Sequence, residues 1–157
     1  MIWNAHVSKT MSAPSELVWA ALRTGDGLER WFSLIDSCRL DGDGVGAVRT
    51  LTTAGGVMND RIIEISNEDR RFRYRRFEWA FPTEDYIGTV EVRDAGEGRA
   101  LVLWTACAEA PDDQAQALTA ILQNAFGSSD FVAVIENVLR DGLDGLEREL
   151  TSEGAGR

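Results

Sequence analysis

Towards the end of the chain Phe131, Val134, Ile135, Val138, Leu139, Leu143, Leu146 and Leu150 recur at spacings of three, four and seven. The spacing predicts one apolar helix face over Ser128–Leu150, with Glu136, Arg140, Asp141, Asp144, Glu147 and Arg148 on the other side. Ser128, Ser129 and Asp130 are cap candidates in front, and Gly154 and Gly156 end the pattern. Such a helix is over about 30 Å long and needs an equally long partner. Gly142 and Gly145 interrupt it at a cost of about 1 kcal/mol each relative to alanine. A close approach to the sheet, or a bend, would account for them.

The partner is read from the alternating segments before it. Trp3–Met11 is a first strand, and Ser12 or Ser15 caps a short helix that buries Leu17, Val18, Ala21 and Leu22 and stops at Gly25. A second short helix over Gly27–Phe32 presents Leu28, Trp31 and Phe32. Strands follow at 34–40, 47–53, 57–65, 72–79, 86–93 and 100–108, separated by turn sequences such as Asp41-Gly42-Asp43-Gly44 and Ala54-Gly55-Gly56. Short turns between consecutive strands make an antiparallel meander. Pro111-Asp112-Asp113 opens a further helical segment (Ala115, Leu118, Ile121, Leu122, Ala125), which Gly127 breaks from the last helix. The fold class is α+β, with a curved seven-stranded antiparallel sheet around a long C-terminal helix and two short helices after the first strand. A curved sheet cannot touch a straight helix everywhere, so the arrangement encloses a cavity.

With 157 residues, 44% of them hydrophobic and 27% charged, the chain reads as a single globular domain over 1–157. A net charge of −10 argues against nucleic acid or an anionic membrane as the main partner. The one basic cluster, Arg70, Arg71, Arg73, Arg75 and Arg76, reads as an outward-facing edge of a strand, with a binding patch as the alternative. No apolar run is long enough for a membrane span, and Met1–His6 resembles no leader. Cys38 and Cys107 lack zinc spacing and suit a reducing cytoplasm. No cofactor is implied. The oligomeric state stays open, a homodimer included.

The order of elements, together with Ala13–Trp19, Gly46–Thr52, Asn59–Ile63, Phe72-Arg73-Tyr74, Asp85–Val90 and the late Trp104, resembles the START/Bet v 1-like (SRPBCC) superfamily. Within it the chain is most similar to the bacterial polyketide cyclase/dehydrase and lipid-transport branch. The resemblance implies a helix-grip fold with a deep apolar cavity between sheet and C-terminal helix, and an acidic residue at position 60 pointing into it. Plant hormone receptors of the superfamily carry a carboxylate-binding lysine on the second strand. Phe32 aligns there, and their gate sequence is absent at Thr53–Gly56, so hormone reception is not implied.

A hairpin turning at Thr53–Gly56 sets residue 51 against 58 and residue 49 against 60. Arg49 and Asp60 then share the cavity face with Leu51, Met58 and Ile62. A one-residue slip would instead leave Arg49 and Asp60 in solvent as an ordinary cross-strand pair. Alternation brings Phe72, Tyr74 and Arg76 to that face, as it does Tyr86, Gly88 and Val90, and Val102, Trp104 and Ala106. Small Gly88 and Ala106 leave room among the aromatics. Phe131, Ile135, Val138 and Leu139 close the other wall, and Trp31 and Trp79 stand near the entrance. Each aromatic alone is compatible with plain core packing.

His6, the only histidine, falls on the outer face of the first strand. No nucleophile elbow, nucleotide loop or metal set is present in the sequence, and Asp41 and Asp43 read as a turn rather than as calcium ligands. The expected function is non-catalytic binding or carriage of a small hydrophobic molecule that is polyketide-like, aromatic or lipid-like. In that reading Arg49, Asp60, Tyr74 and Tyr86 orient a polar group. One alternative is a polyketide cyclase or dehydratase in which Asp60, with Tyr86 or Arg49, moves protons or stabilises an enolate. Another is an interaction module of the Hsp90-activator type.

Overall fold

The computed structural model describes residues 1–155, with side chains as far as Ser152. Seven strands, β1 (Ile2–Met11), β2 (Ser37–Asp41), β3 (Val48–Thr53), β4 (Gly56–Ser66), β5 (Arg71–Glu78), β6 (Glu84–Asp94) and β7 (Ala100–Glu109), form one antiparallel sheet. Their order is β1-β7-β6-β5-β4-β3-β2. Register shifts on β4, at Asn59/Asp60 and Ile62/Glu64, and on β6, between Glu84 and Ile87, bend the sheet. Helix α1 (Ser15–Leu22) follows β1, and α2 (Ala115–Phe126) and the 25-residue α3 (Phe131–Ala155) follow β7. This is the helix-grip architecture expected from the pattern.

α3 starts where Asp130 accepts a hydrogen bond from the Ala133 amide at 3.1 Å. Its apolar face buries Phe131, Ile135, Leu139, Leu143, Leu146 and Leu150 against the sheet and the α1 region. Its acidic face clasps the edge strand. Glu136 accepts from the His6 amide at 3.0 Å, Glu147 from the Ser12 amide at 2.8 Å, and Asp144 from Lys9 Nζ at 2.8 Å. Edge amides that would otherwise stand open are thereby satisfied. Among the described residues no single helix is long and apolar enough to cross a membrane.

Several expectations need correction. The second short helix is one 3₁₀ turn, Leu28–Arg30, bounded by Gly27 at φ 73° and by the non-helical Trp31. A segment that short makes too few bonds to continue as a helix. Phe32 sits in the connection before β2, not on the second strand, and β2 begins only at Ser37. Pro14 holds the cap position of α1, while the Ser15 hydroxyl is buried and bonded to Asp94 and to Arg70 Nη1. β5 is the central strand of the sheet; Arg71, Arg73 and Arg75 alternate away from the buried Phe72 and Tyr74, but Arg76 turns inward. α3 runs past Gly154, and Gly156 lies outside the described residues.

Gly142 and Gly145 do mark a close approach, but to the Trp31–Phe32 connection and not to the sheet. A Cβ on Gly142 would stand 2.9 Å from the Phe32 ring, and one on Gly145 would run into the Trp31 carbonyl oxygen. Gly145→Ala should therefore cost about 3 kcal/mol in urea unfolding. Gly142→Ala should cost less, because a ring can shift where backbone cannot. Equal, negligible losses would contradict this packing.

Candidate functional site

Inward positions of β3 to β6 form a row across the middle of the sheet. Arg49 pairs with Asp60, Asp60 with Arg76, and Arg76 with Tyr86. Alternation points all four to the concave face, and the β4 irregularities bring Arg76 level with Asp60. The Asp60 side chain has no solvent exposure, and those of Arg49 and Arg76 keep 5% and 9%. Arg49 donates to Asp60 Oδ2 from Nε at 3.2 Å and Nη2 at 2.9 Å, and its Nη1 reaches the Gly25 carbonyl at 3.4 Å. Arg76 donates from Nε to Oδ1 at 2.7 Å and from Nη2 to Oδ2 at 3.1 Å.

Aromatic faces enclose the guanidiniums. Arg49 lies 4.8 Å from the Tyr74 ring centre, and Arg76 lies 4.9 Å from Tyr86, 5.1 Å from Trp79 and 5.5 Å from Tyr74. Burial pushes the Asp60 carboxyl up, but Arg76 and Arg49 together outweigh it and hold it below the usual carboxylate range. Burial works against the charge on Arg76, yet Asp60 keeps that guanidinium firmly protonated. Burial drives the Tyr74 and Tyr86 hydroxyls upward, so both stay protonated at neutral pH.

In front of the row lies a cavity of about 350 Å³. Arg49, Leu51, Met58, Tyr74, Trp79, Tyr86 and Trp104 form its sheet wall, and Ile135, Val138, Leu139 and Phe32 face them. The Trp104 indole donates to the Tyr74 hydroxyl at 3.2 Å and fixes both rings. The Tyr86 hydroxyl lies beside that of Tyr74, and a side-chain hydrogen bond between the two adds to its upward shift. A shallower outer groove shares Phe32, Leu34, Phe126 and Val138 with the cavity, so these four side chains form a thin partition between the two.

Other expected lining residues lie elsewhere. Asp60 is behind its two arginines, with both oxygens taken. Gly88 leaves no room, because the Tyr74 ring on the neighbouring strand occupies the space where its Cβ would be. Ile62 and Phe72 pack against Gly25 instead. Phe72 and Val90 face a separate void of about 20 Å³ beside Trp31, which is thus no entrance residue. Val102 and Ala106 are buried in the sheet core. Phe131 packs at a tilt against Trp3, 5.1 Å away, as part of an aromatic cluster with Trp79 and Phe81.

Period-two alternation puts Arg76 on the cavity face, and it lines the wall; sequence reasoning missed Leu28, Leu34, Ile35 and Phe81 and the roof of Ile121, Ala125 and Phe126 from α2. The helical spacing of α2 was visible, whereas what it covered was not.

Asp60→Asn would leave two buried guanidiniums without their counter-charge and should cost about 3–5 kcal/mol. Because the folded-state value of Asp60 is lowered, its contribution is present at neutral pH. It is lost only as pH falls below roughly 4, through the folded value. Thermal unfolding between pH 7 and 2 should therefore show a shallower acid limb in the variant. An unchanged acid limb would contradict the assignment.

The family described as polyketide cyclase / dehydrase and lipid transport matches residues 3–151. No curated protein matches the chain. A solved protein from Nitrosospira multiformis is 26% identical, with 98% of this chain and 99% of that one covered and a TM-score of 0.75. Norcoclaurine synthase from Thalictrum flavum, a point mutant bound to a transition-state analogue, is 13% identical over 98% and 97% of the two chains, with a TM-score of 0.75. A structure of the same enzyme with dopamine and hydroxybenzaldehyde is 13% identical over 97% and 88%, with a TM-score of 0.69. Through the match over 3–151, and with a Bet v 1-like helix-grip fold, the chain belongs to the polyketide cyclase / dehydrase and lipid transport family.

Proposed function

We propose that this chain is one cytoplasmic binding domain that holds and carries a small hydrophobic molecule, polyketide-like, aromatic or lipid-like, between the sheet and α3. The observation that carries the reading is the cavity of about 350 Å³, walled mainly by aromatic and aliphatic side chains, with Arg49, Arg76, Tyr74 and Tyr86 as its titratable groups. Its size falls within the range of pockets for small organic ligands. Burial of the ligand's apolar surface would supply the affinity, at roughly 25 cal/mol per Å² before the cost of association. Arg49, Arg76, Tyr74 and Tyr86 would orient its polar end. The aromatic pair held by norcoclaurine synthase agrees with an aromatic molecule on this fold.

The cyclase or dehydratase reading keeps one specific support. The Arg76 guanidinium, with the protonated Tyr86 packed against it, could hold an enolate oxygen. Asp60 is not the proton carrier in that reading, since it is withdrawn from the cavity and held ionised. The titratable side chains in the cavity wall are then two arginines and two tyrosines, which suits holding a charge better than abstracting a proton.

Native mass spectrometry of freshly purified protein, beside a denatured control, tests the binding reading. The expected result is an added mass that disappears on denaturation and in Leu139→Trp, whose ring would fill the cavity. Retention of the same added mass by a folded Leu139→Trp would place the ligand elsewhere and contradict the reading.

A further inference from the structure

The charges around the cavity do not balance. Arg49 and Arg76 are the only charged residues in its wall, and one carboxylate, Asp60, stands behind both. The row thus carries one surplus positive charge inside a protein whose net charge is −10. Aromatic faces at 4.8–5.6 Å from the two guanidiniums attract that charge but do not cancel it. A buried charge without a counter-ion is costly unless something pairs with it.

The two arginines differ in what they have left to offer. Arg49 uses Nε and Nη2 on Asp60 and Nη1 on the Gly25 carbonyl. Arg76 uses Nε and Nη2 on Asp60, and its Nη1 has no hydrogen-bond partner among the described residues. Tyr86, the next member of the row, packs its ring on the same guanidinium, while its hydroxyl is engaged with Tyr74. A free N–H of the guanidinium pair that bears the surplus charge thus stands at the polar end of an apolar cavity. That donor suits an anionic oxygen such as a carboxylate's.

We propose that the ligand of this cavity is an organic anion, an aromatic or long apolar body ending in a carboxylate, and that Arg76 Nη1 receives the carboxylate. This rests on the binding reading above and adds the charge of the ligand to it. The apolar body occupies the space between Leu51, Trp104 and Leu139, and the carboxylate neutralises the Arg49–Asp60–Arg76 row.

The test uses two probes of matched shape, 2-naphthoate and 2-naphthalenemethanol, titrated calorimetrically into the full chain at pH 7. The wild type should bind the carboxylate at least tenfold more tightly than the alcohol. In Arg76→Gln, where Arg49 and Asp60 balance, the preference should fall to threefold or less. Equal affinities in the wild type would overturn the anion inference while leaving the apolar cavity standing. Binding of neither probe would overturn the binding reading and this inference with it. The wild-type comparison decides the matter without the variant if Arg76→Gln does not fold.

Discussion

A carboxylate held between two guanidiniums on the inward face of a sheet constrains everything near it. Asp60 can be ionised and dry only because Arg49 and Arg76 reach it from the strands on either side. That demands a fixed register across β3, β4 and β5, since a one-residue slip would turn charges away from their partners. It also demands rings over the guanidiniums, and Tyr74, Trp79 and Tyr86 provide them. The aromatic wall of the cavity and the charged row behind it are therefore one structure.

The cavity exists because α3 is held at places that keep it from collapsing onto that wall. Carboxylates of its polar face grip β1, and Gly142 and Gly145 let its second half settle against Trp31 and Phe32. Its first half, with Ile135, Val138 and Leu139, spans the concave face of a bent sheet, and α2 roofs the remaining gap through Ile121 and Ala125. The proposed binding would use this geometry: an apolar space closed by helices, with the two arginines able to read one end of a ligand.

Much of this was legible in the sequence. Counting back from the turn at Thr53–Gly56 gives the pairing of Arg49 with Asp60, because a hairpin's register is set by its turn. The apolar stripe of the last helix fixes which of its side chains face inward. What stayed hidden depends on contacts between strands. Gly88 reads as open space on its own strand, and only the pairing with Tyr74 fills it. Asp60 reads as a cavity residue until the second arginine arrives from β5, in a register that the β4 irregularities set. Phe32 reads as the end of a short helix until the connection before β2 turns it against Gly142. Local pattern determines faces, and tertiary pairing determines which face has room.

The central claim is that the Arg49–Asp60–Arg76 row serves the cavity's ligand rather than the stability of the fold. Replacing all three with apolar side chains of similar size (Arg49→Met, Asp60→Leu and Arg76→Met together) tests it directly, through denaturant unfolding and retention of bound anion in the same preparation. Buried ion groups exchanged together for packed apolar residues often leave stability unchanged or raised. The account predicts a triple variant at least as stable as the wild type that no longer holds an organic carboxylate. A triple variant that unfolds readily, or one that stays folded and still binds the carboxylate, would contradict it.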